Sequence, residues 1–248
     1  MRKQVLAMAV DVTTLGQAVS TILGWAALRS GRYVCVSNVH MCVEVLDNHD
    51  FRSVVNGADL VVADGKPIAL AQRLLGAKEA GQVRGMDLTL ALCREAAAHG
   101  IAVGFYGGEE STLEALQQRL QQQHPALRIA CTIAPPFRAL STEEEQAYLQ
   151  QIRDSGAAIL FVGLGCPKQE RWMATHRNSL PCVMLGVGAA FDFIAGRKKH
   201  APVLLQRLYL EWLYRLLTEP GRLWRRCLAT NPRFVWEFFL QLCGKKFP

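Results

Sequence analysis

Short runs of consecutive apolar residues recur along the first 190 positions, and between them apolar residues return every three or four places. Segments 33–37 (YVCVS), 60–64 (LVVAD), 101–108 (IAVGFYGG), 128–134 (RIACTIA), 157–165 (AAILFVGLG) and 183–190 (VMLGVGAA) are of the first kind, with a weaker β-favouring run over 4–10. Continuous apolar runs of this length predict strands buried on both faces of a parallel sheet. The intervening stretches predict helices with readable starts: Thr13/Thr14 as cap of a helix to about Leu28, Pro67 in a first turn, Asp87 capping a helix that ends near His99-Gly100, a helix over 111–123, and Ser141 followed by Glu143, Glu144 and Glu145. Alternation of this kind implies an α/β, Rossmann-like, right-handed doubly wound fold with a mainly parallel sheet.

The pattern changes after Gly196. No strand signal follows; from Pro202, Leu204, Leu208 and Trp212 recur at helical spacing beside a second stripe of Arg207, Glu211 and Arg215. Pro220-Gly221 reads as a break, followed by Arg222, Trp224, Arg225 and Arg226 and by a third helical piece over 234–242. Charge divides at the same place. Residues 196–248 hold eleven of the 28 Lys/Arg and three of the 21 Asp/Glu, a net of +8, whereas the first 195 residues net −1. The chain therefore reads as an α/β domain, 1–195, and a basic aromatic helical appendage, 196–248. Arginines interleaved with Trp and Phe at helical spacing suit an anionic membrane surface better than nucleic acid, for which no reader motif is present. A solvated basic rim on a packed helical subdomain is the plainer alternative. No window approaches the ~20 apolar residues of a membrane span, and the N-terminal apolar run is too short for a signal peptide. A cytoplasmic protein, peripheral on the inner face of the membrane, is expected.

Eight cysteines without C-x-x-C spacing, mostly inside apolar runs, read as buried reduced thiols. The six histidines pair neither with one another nor with cysteine, so no metal site is expected; His40, near the first strand exit, is the one kept as a site candidate. In doubly wound sheets ligands bind where strands end at their carboxyl edge. The exits here carry Ser37-Asn38, Asp64-Gly65, Gly107-Gly108, Gly165-Cys166-Pro167-Lys168-Gln169-Glu170, and Gly188 with Asp192 following. Asp64 is either a turn residue or a general base raised toward working pH by partial desolvation. The glycines before Pro167 and Lys168 can offer backbone N–H groups to an anion, although the third glycine of a dinucleotide fingerprint is replaced by Lys168. No Asp-x-Asp pair is present to hold a metal. A diphosphate leaving group would have to be neutralised by cations such as Arg84 and the tail arginines.

The motifs SNVHM (37–41), ADG (63–65), VRGMDL (83–88), GLGCPKQE (163–170), GVGAAFDFIAG (186–196), KKHAP (198–202), LEWLYRL (210–216) and EPGRLWRR (219–226) together resemble the WecG/TagA/CpsF family of bacterial glycosyltransferases over nearly the whole chain. The resemblance implies an inverting transferase that needs no metal or other cofactor. It would move a sugar from a UDP-sugar to a polyprenyl-diphosphate-linked saccharide in cell-envelope or exopolysaccharide synthesis. N-acetylmannosamine, its uronic acid, or a hexose or hexuronate fits equally. By motif position Asp64 is the base, and Ser37, Asn38, Arg84 and Gln169 are donor-sugar contacts. Asp192 and its preceding glycines belong to the nucleotide pocket, and Arg215, Arg222 and Arg225 or Arg226 close over the diphosphate. Ser37 stands where many members have Thr, and His200 where Arg is usual. The competing readings are a nicotinamide-dependent oxidoreductase and a membrane-surface scaffold that binds a nucleotide-sugar without turnover. Oligomeric state is unread.

Overall fold

A computed structural model describes residues 1–198, 201–202, 205, 211–218 and 220–248, with backbone only at residues 211, 215, 220, 222, 223, 225 and 226. The chain opens with a β-hairpin, β1 (Arg2–Val5) and β2 (Met8–Asp11), where a single strand over 4–10 is expected. The run is broken at Leu6, whose φ of 53° turns the chain back while its side chain stays buried. Then come α1 (Leu15–Ala27), β3 (Arg32–Ser37), α2 (Val39–Asp47), α3 (His49–Asn56), β4 (Leu60–Ala63), α4 (Lys66–Leu74), α5 (Gly85–His99), β5 (Val103–Tyr106) and α6 (Glu110–Gln123). After these follow β6 (Ile129–Ile133), α7 (Thr142–Ser155), β7 (Ile159–Val162), α8 (Lys168–His176), β8 (Val183–Gly186) and α9 (Ala190–Ile194).

Local chemistry sets these boundaries. Thr14 and Ser141 each form a capping box, with Gln17 and Glu144 respectively, and Gly100 and Gly156 end α5 and α7 in the left-handed conformation. Asp87 is not the cap expected of it. The helix begins two residues earlier, at Gly85, and Asp87 sits in its first turn, paired with Arg84 at 2.7 Å.

Six strands form one parallel sheet in the order β4-β3-β8-β7-β5-β6, as a doubly wound α/β fold requires. Alternate strand residues enter two cores, one on each face. Val34, Val36, Val62, Phe105, Phe161 and Leu185 pack under α1, α5, α6 and α9. Tyr33, Cys35, Val61, Leu160, Val162 and Met184 pack under α2, α3, α7, α8 and the hairpin. The hairpin covers the β4 edge, where the Val61 N–H donates to Asp11 at 2.9 Å. Otherwise that edge would offer unpaired backbone groups.

The tail is helical at α10 (Glu211–Thr218) and α11 (Pro220–Leu242). The stripes expected around Leu204, Leu208 and Arg207, together with His200, lie outside the described residues. The break expected at Pro220-Gly221 is instead the start of α11. Pro220 suits a first helical position, where its missing N–H is no loss. One helix then runs through Pro232 to Leu242. Phe234 and Phe238 insert into the core beside α2, their rings stacked 5.9 Å apart. Arg233 pairs with Asp47 through both terminal guanidinium nitrogens, Nη1 and Nη2, and Gln241 accepts from the Leu6 N–H at 2.9 Å while donating to the Gln4 carbonyl at 2.9 Å.

Candidate active site

Strand register aligns the exits along one edge: Ser37 lies opposite Ala63, Cys35 and Val162 opposite Gly186, and Tyr106 opposite Val162 and Ile133. The helices leaving adjacent strands β3 and β8, α2 and α9, depart to opposite faces, and the same holds for α8 and α6 after β7 and β5. Crevices open at such reversals.

Asp64 is held at the β4 exit by three hydrogen bonds. Its N–H donates to the Ser37 carbonyl at 2.8 Å, its carbonyl accepts from Gln82 Nε2 at 2.7 Å, and Oδ1 accepts from the Gly85 N–H at 2.9 Å. A carboxylate anchored in this way is a fixed, half-buried proton acceptor. The glycine that pins it, Gly85, is the residue missed from the sequence. The signal was its place directly after Arg84. A Cβ there would stand 3.4 Å from the Val187 carbonyl and from Val36, which ties this loop to the β8 exit.

The β8 exit leads to the β7–α8 turn. A Cβ at Gly186 would lie 2.8 Å from Met173 Cε and 3.0 Å from Gln169 Nε2, and one at Gly188 3.9 Å from both polar atoms of the Gln169 amide. Gln169 Oε1 accepts from the Gly165 N–H at 3.1 Å and its Nε2 donates to Glu170 at 2.7 Å. Gly165 adopts φ +82°, and Cys166–Pro167 is a cis peptide. Lys168 is exposed at the start of α8, while Glu170 is 0% exposed and Gln169 3%. Burial pushes the Glu170 carboxyl up to about 7, only partly offset by the Gln169 hydrogen bond. The same burial, with Glu170 beside it, raises Cys166. Of the trio Lys168, Gln169 and Glu170, the one acid is thus withdrawn behind the Gln169 amide.

The turn after β5 closes the edge. A Cβ at Gly107, φ +107°, would overlap the Gly163 backbone at 2.7 Å, and one at Gly163 would overlap the Phe191 ring at 2.5 Å. Gly108 also faces Phe191. Two residues of α9 therefore divide labour: Phe191 packs down on the glycines and on Phe105, and Asp192 begins the route into the appendage. Lys198 pairs with Asp192 at 2.8 Å and Arg197 with Glu109 at 3.4 Å.

Asn38 caps α2 by accepting from the Met41 N–H at 3.1 Å. Ser37 is fully buried and its hydroxyl donates to the Val62 carbonyl at 2.7 Å, so it braces the β3–β4 exits. His40, in the first turn of α2, is 3.9 Å from Glu44. Ser37, Asn38, Asp64, Arg84, Gly107, Gly108, Gly165, Pro167, Lys168, Gln169, Glu170, Gly188 and Asp192 thus all occupy the carboxyl edge. The side chains of Arg215, Arg222, Arg225 and Arg226 lie outside the described residues. A surface hollow of about 400 Å³, lined by Arg29, Gly31 and Arg177, lies at the opposite end of β3 and β8.

Fold and edge together define a doubly wound α/β enzyme with one pinned carboxylate among backbone-exposing glycines. The sequence matches the model of the Glycosyl transferase WecG/TagA/CpsF family over residues 3–247, and the chain belongs to that family. It is a glycosyltransferase. It is similar to the N-acetylglucosaminyldiphosphoundecaprenol N-acetyl-beta-D-mannosaminyltransferase of Bacillus spizizenii, 30% identical over 83% of this chain and 77% of the relative. It is also 29% identical to the protein of the same name from Staphylococcus aureus, over 94% of this chain and 90% of the relative.

Proposed function

We propose that the chain transfers N-acetylmannosamine from its UDP-activated form to an N-acetylglucosaminyl-diphospho-polyprenol, by a single inverting displacement without a metal. The observation that carries this reading is Asp64, pinned by the Gly85 N–H at the β4 exit, beside the exit of β3. The acceptor hydroxyl attacks the anomeric carbon as Asp64 takes its proton, and UDP leaves from the opposite side. A single displacement needs one such base. Sugar and acceptor are carried over from the names of the relatives.

UDP's growing charge is met by backbone N–H groups of the glycine turns, by Arg84 and Lys168, and by Arg215, Arg222, Arg225 and Arg226 of the appendage. The +8 charge of residues 196–248 supports the last assignment, as does the exposed apolar side of α11, where Trp236 is 59% and Phe239 54% exposed. The same surface brings the enzyme to the inner face of the membrane. No described helix is long and apolar enough to cross it.

The test is UDP release with UDP-N-acetylmannosamine and a short-chain N-acetylglucosaminyl-diphosphoprenol, run beside the uronic acid and hexose donors. Turnover restricted to another donor reassigns the sugar. Donor binding without turnover of any donor replaces the enzyme with a scaffold.

A further inference from the structure

We propose that Glu170 is a positioning residue that fixes which end of the Gln169 side-chain amide faces the donor sugar. The inference rests on the reading of Gln169 as a donor-sugar contact. Glu170 is wholly enclosed; its Oε1 accepts from Gln169 Nε2 at 2.7 Å, with the Cys166 thiol against the same carboxyl group. Gln would be the ordinary buried neighbour of another Gln. A carboxylate differs because, ionised, it only accepts. Turning the Gln169 amide over would set two acceptors against each other and aim its NH₂ at the Gly165 N–H. In the observed orientation both contacts are satisfied, with Gly165 donating to Gln169 Oε1 at 3.1 Å. The amide is therefore clamped from two sides, and both its polar atoms border the space beside Gly188. A sugar hydroxyl or acyl group placed there meets a donor and an acceptor in a set order.

The clamp loosens when Glu170 gains a proton. A neutral carboxyl can donate as well as accept, and both orientations of Gln169 become compatible with it. Facing Glu170 are the thiols of Cys166 on the same turn and Cys35 on β3, with Glu44 of α2 close enough to act on Cys166; none is a cation. Burial holds the carboxyl near neutral pH, so ordinary assay conditions span the change.

The experiment measures donor KM, kcat and UDP affinity from pH 6 to 8.5 for the full chain and for Glu170→Gln, Glu170→Leu and Gln169→Leu. In the unaltered protein donor KM should rise about tenfold as pH falls, the worth of one hydrogen bond, while UDP affinity stays constant. Glu170→Gln, which is isosteric but can donate or accept at any pH, should hold the high KM throughout and lose the pH dependence. Glu170→Leu should match it if it folds. A Glu170→Gln enzyme with the original KM and pH profile overturns the proposal, as does an equal loss of UDP affinity, which would mark general damage to the turn. An unchanged donor KM in Gln169→Leu overturns it from the other side, by removing Gln169 from the sugar contacts. If the unaltered protein transfers no sugar at all, the parent reading fails and the Glu170 clamp falls with it.

Discussion

Asp64 and Glu170 are both acids at strand exits, and their surroundings give them opposite tasks. Asp64 stays at the surface of the edge with one oxygen held by the Gly85 N–H. Asn keeps an oxygen for that bond and loses the ability to take a proton. Asp64→Asn should therefore lower kcat by about 10²–10⁴-fold with donor affinity nearly unchanged, measured by UDP release and by titration calorimetry. Glu170, by contrast, is buried, and burial lifts its carboxyl from the ordinary 4.5 to about 7. The folded state thus holds its proton more tightly than the unfolded chain. The resulting stability is complete below about pH 4.5 and disappears as pH rises through 7, where an ionised carboxylate must remain in the core. Two and a half pH units correspond to roughly 3 kcal/mol. Urea unfolding should show Glu170→Gln gaining stability relative to the unaltered protein by that order between pH 5 and pH 8. Parallel curves for the two proteins across this range would mean that Glu170 is hydrated in solution.

Elements were legible where one interaction dominates. The six sheet strands stand out as unbroken apolar runs because both faces are covered, and α1 and α7 announce their starts because capping boxes are local. The misses share a cause in tertiary contacts that the sequence does not display. Leu6 tolerates a positive φ because Gln241, 235 residues away, receives its N–H. Asp87 looks like a cap until Arg84 claims it. The helical piece expected over 234–242 is the end of α11, which passes through Pro232 as Phe234 and Phe238 anchor the following turns in the core. At the site, strand exits and glycines were readable, but the withdrawal of Glu170 and the inward donation of Ser37 were not, since both depend on which way a side chain turns. The two sides of α11 can be separated by mutation. Phe234→Ala empties a core position and should destabilise by about 3–5 kcal/mol. Trp236→Ser with Phe239→Ser changes only exposed rings and should leave the melting temperature within a degree or two while reducing sedimentation with anionic vesicles.

Over the whole molecule, a neutral body and a basic appendage share one chain but not one source of binding energy. The appendage is tied to the body at both ends, through Asp192–Lys198 and Glu109–Arg197 after α9, and through Phe234, Phe238 and Gln241 in α11. Deleting residues 196–248 would therefore strip part of a core as well as the proposed membrane-binding surface, and loss of activity in such a truncation would not distinguish the two. Substrate length does distinguish them. An acceptor with a short, water-soluble prenyl chain needs the leaving-group pocket but not the bilayer; one carried in vesicles needs both. Trp236→Ser with Phe239→Ser should slow turnover only on the vesicle-borne acceptor, and the defect should deepen as salt screens the remaining charge. Arg222→Ala and Arg225→Ala should instead slow both acceptors by about 10²–10³-fold in kcat, the typical worth of a transition-state charge contact. If the arginine variants match the original enzyme on the soluble acceptor and fail only on vesicles, the cations serve lipid alone. The diphosphate would then be neutralised within the body, by Arg84, Lys168 and the glycine turns.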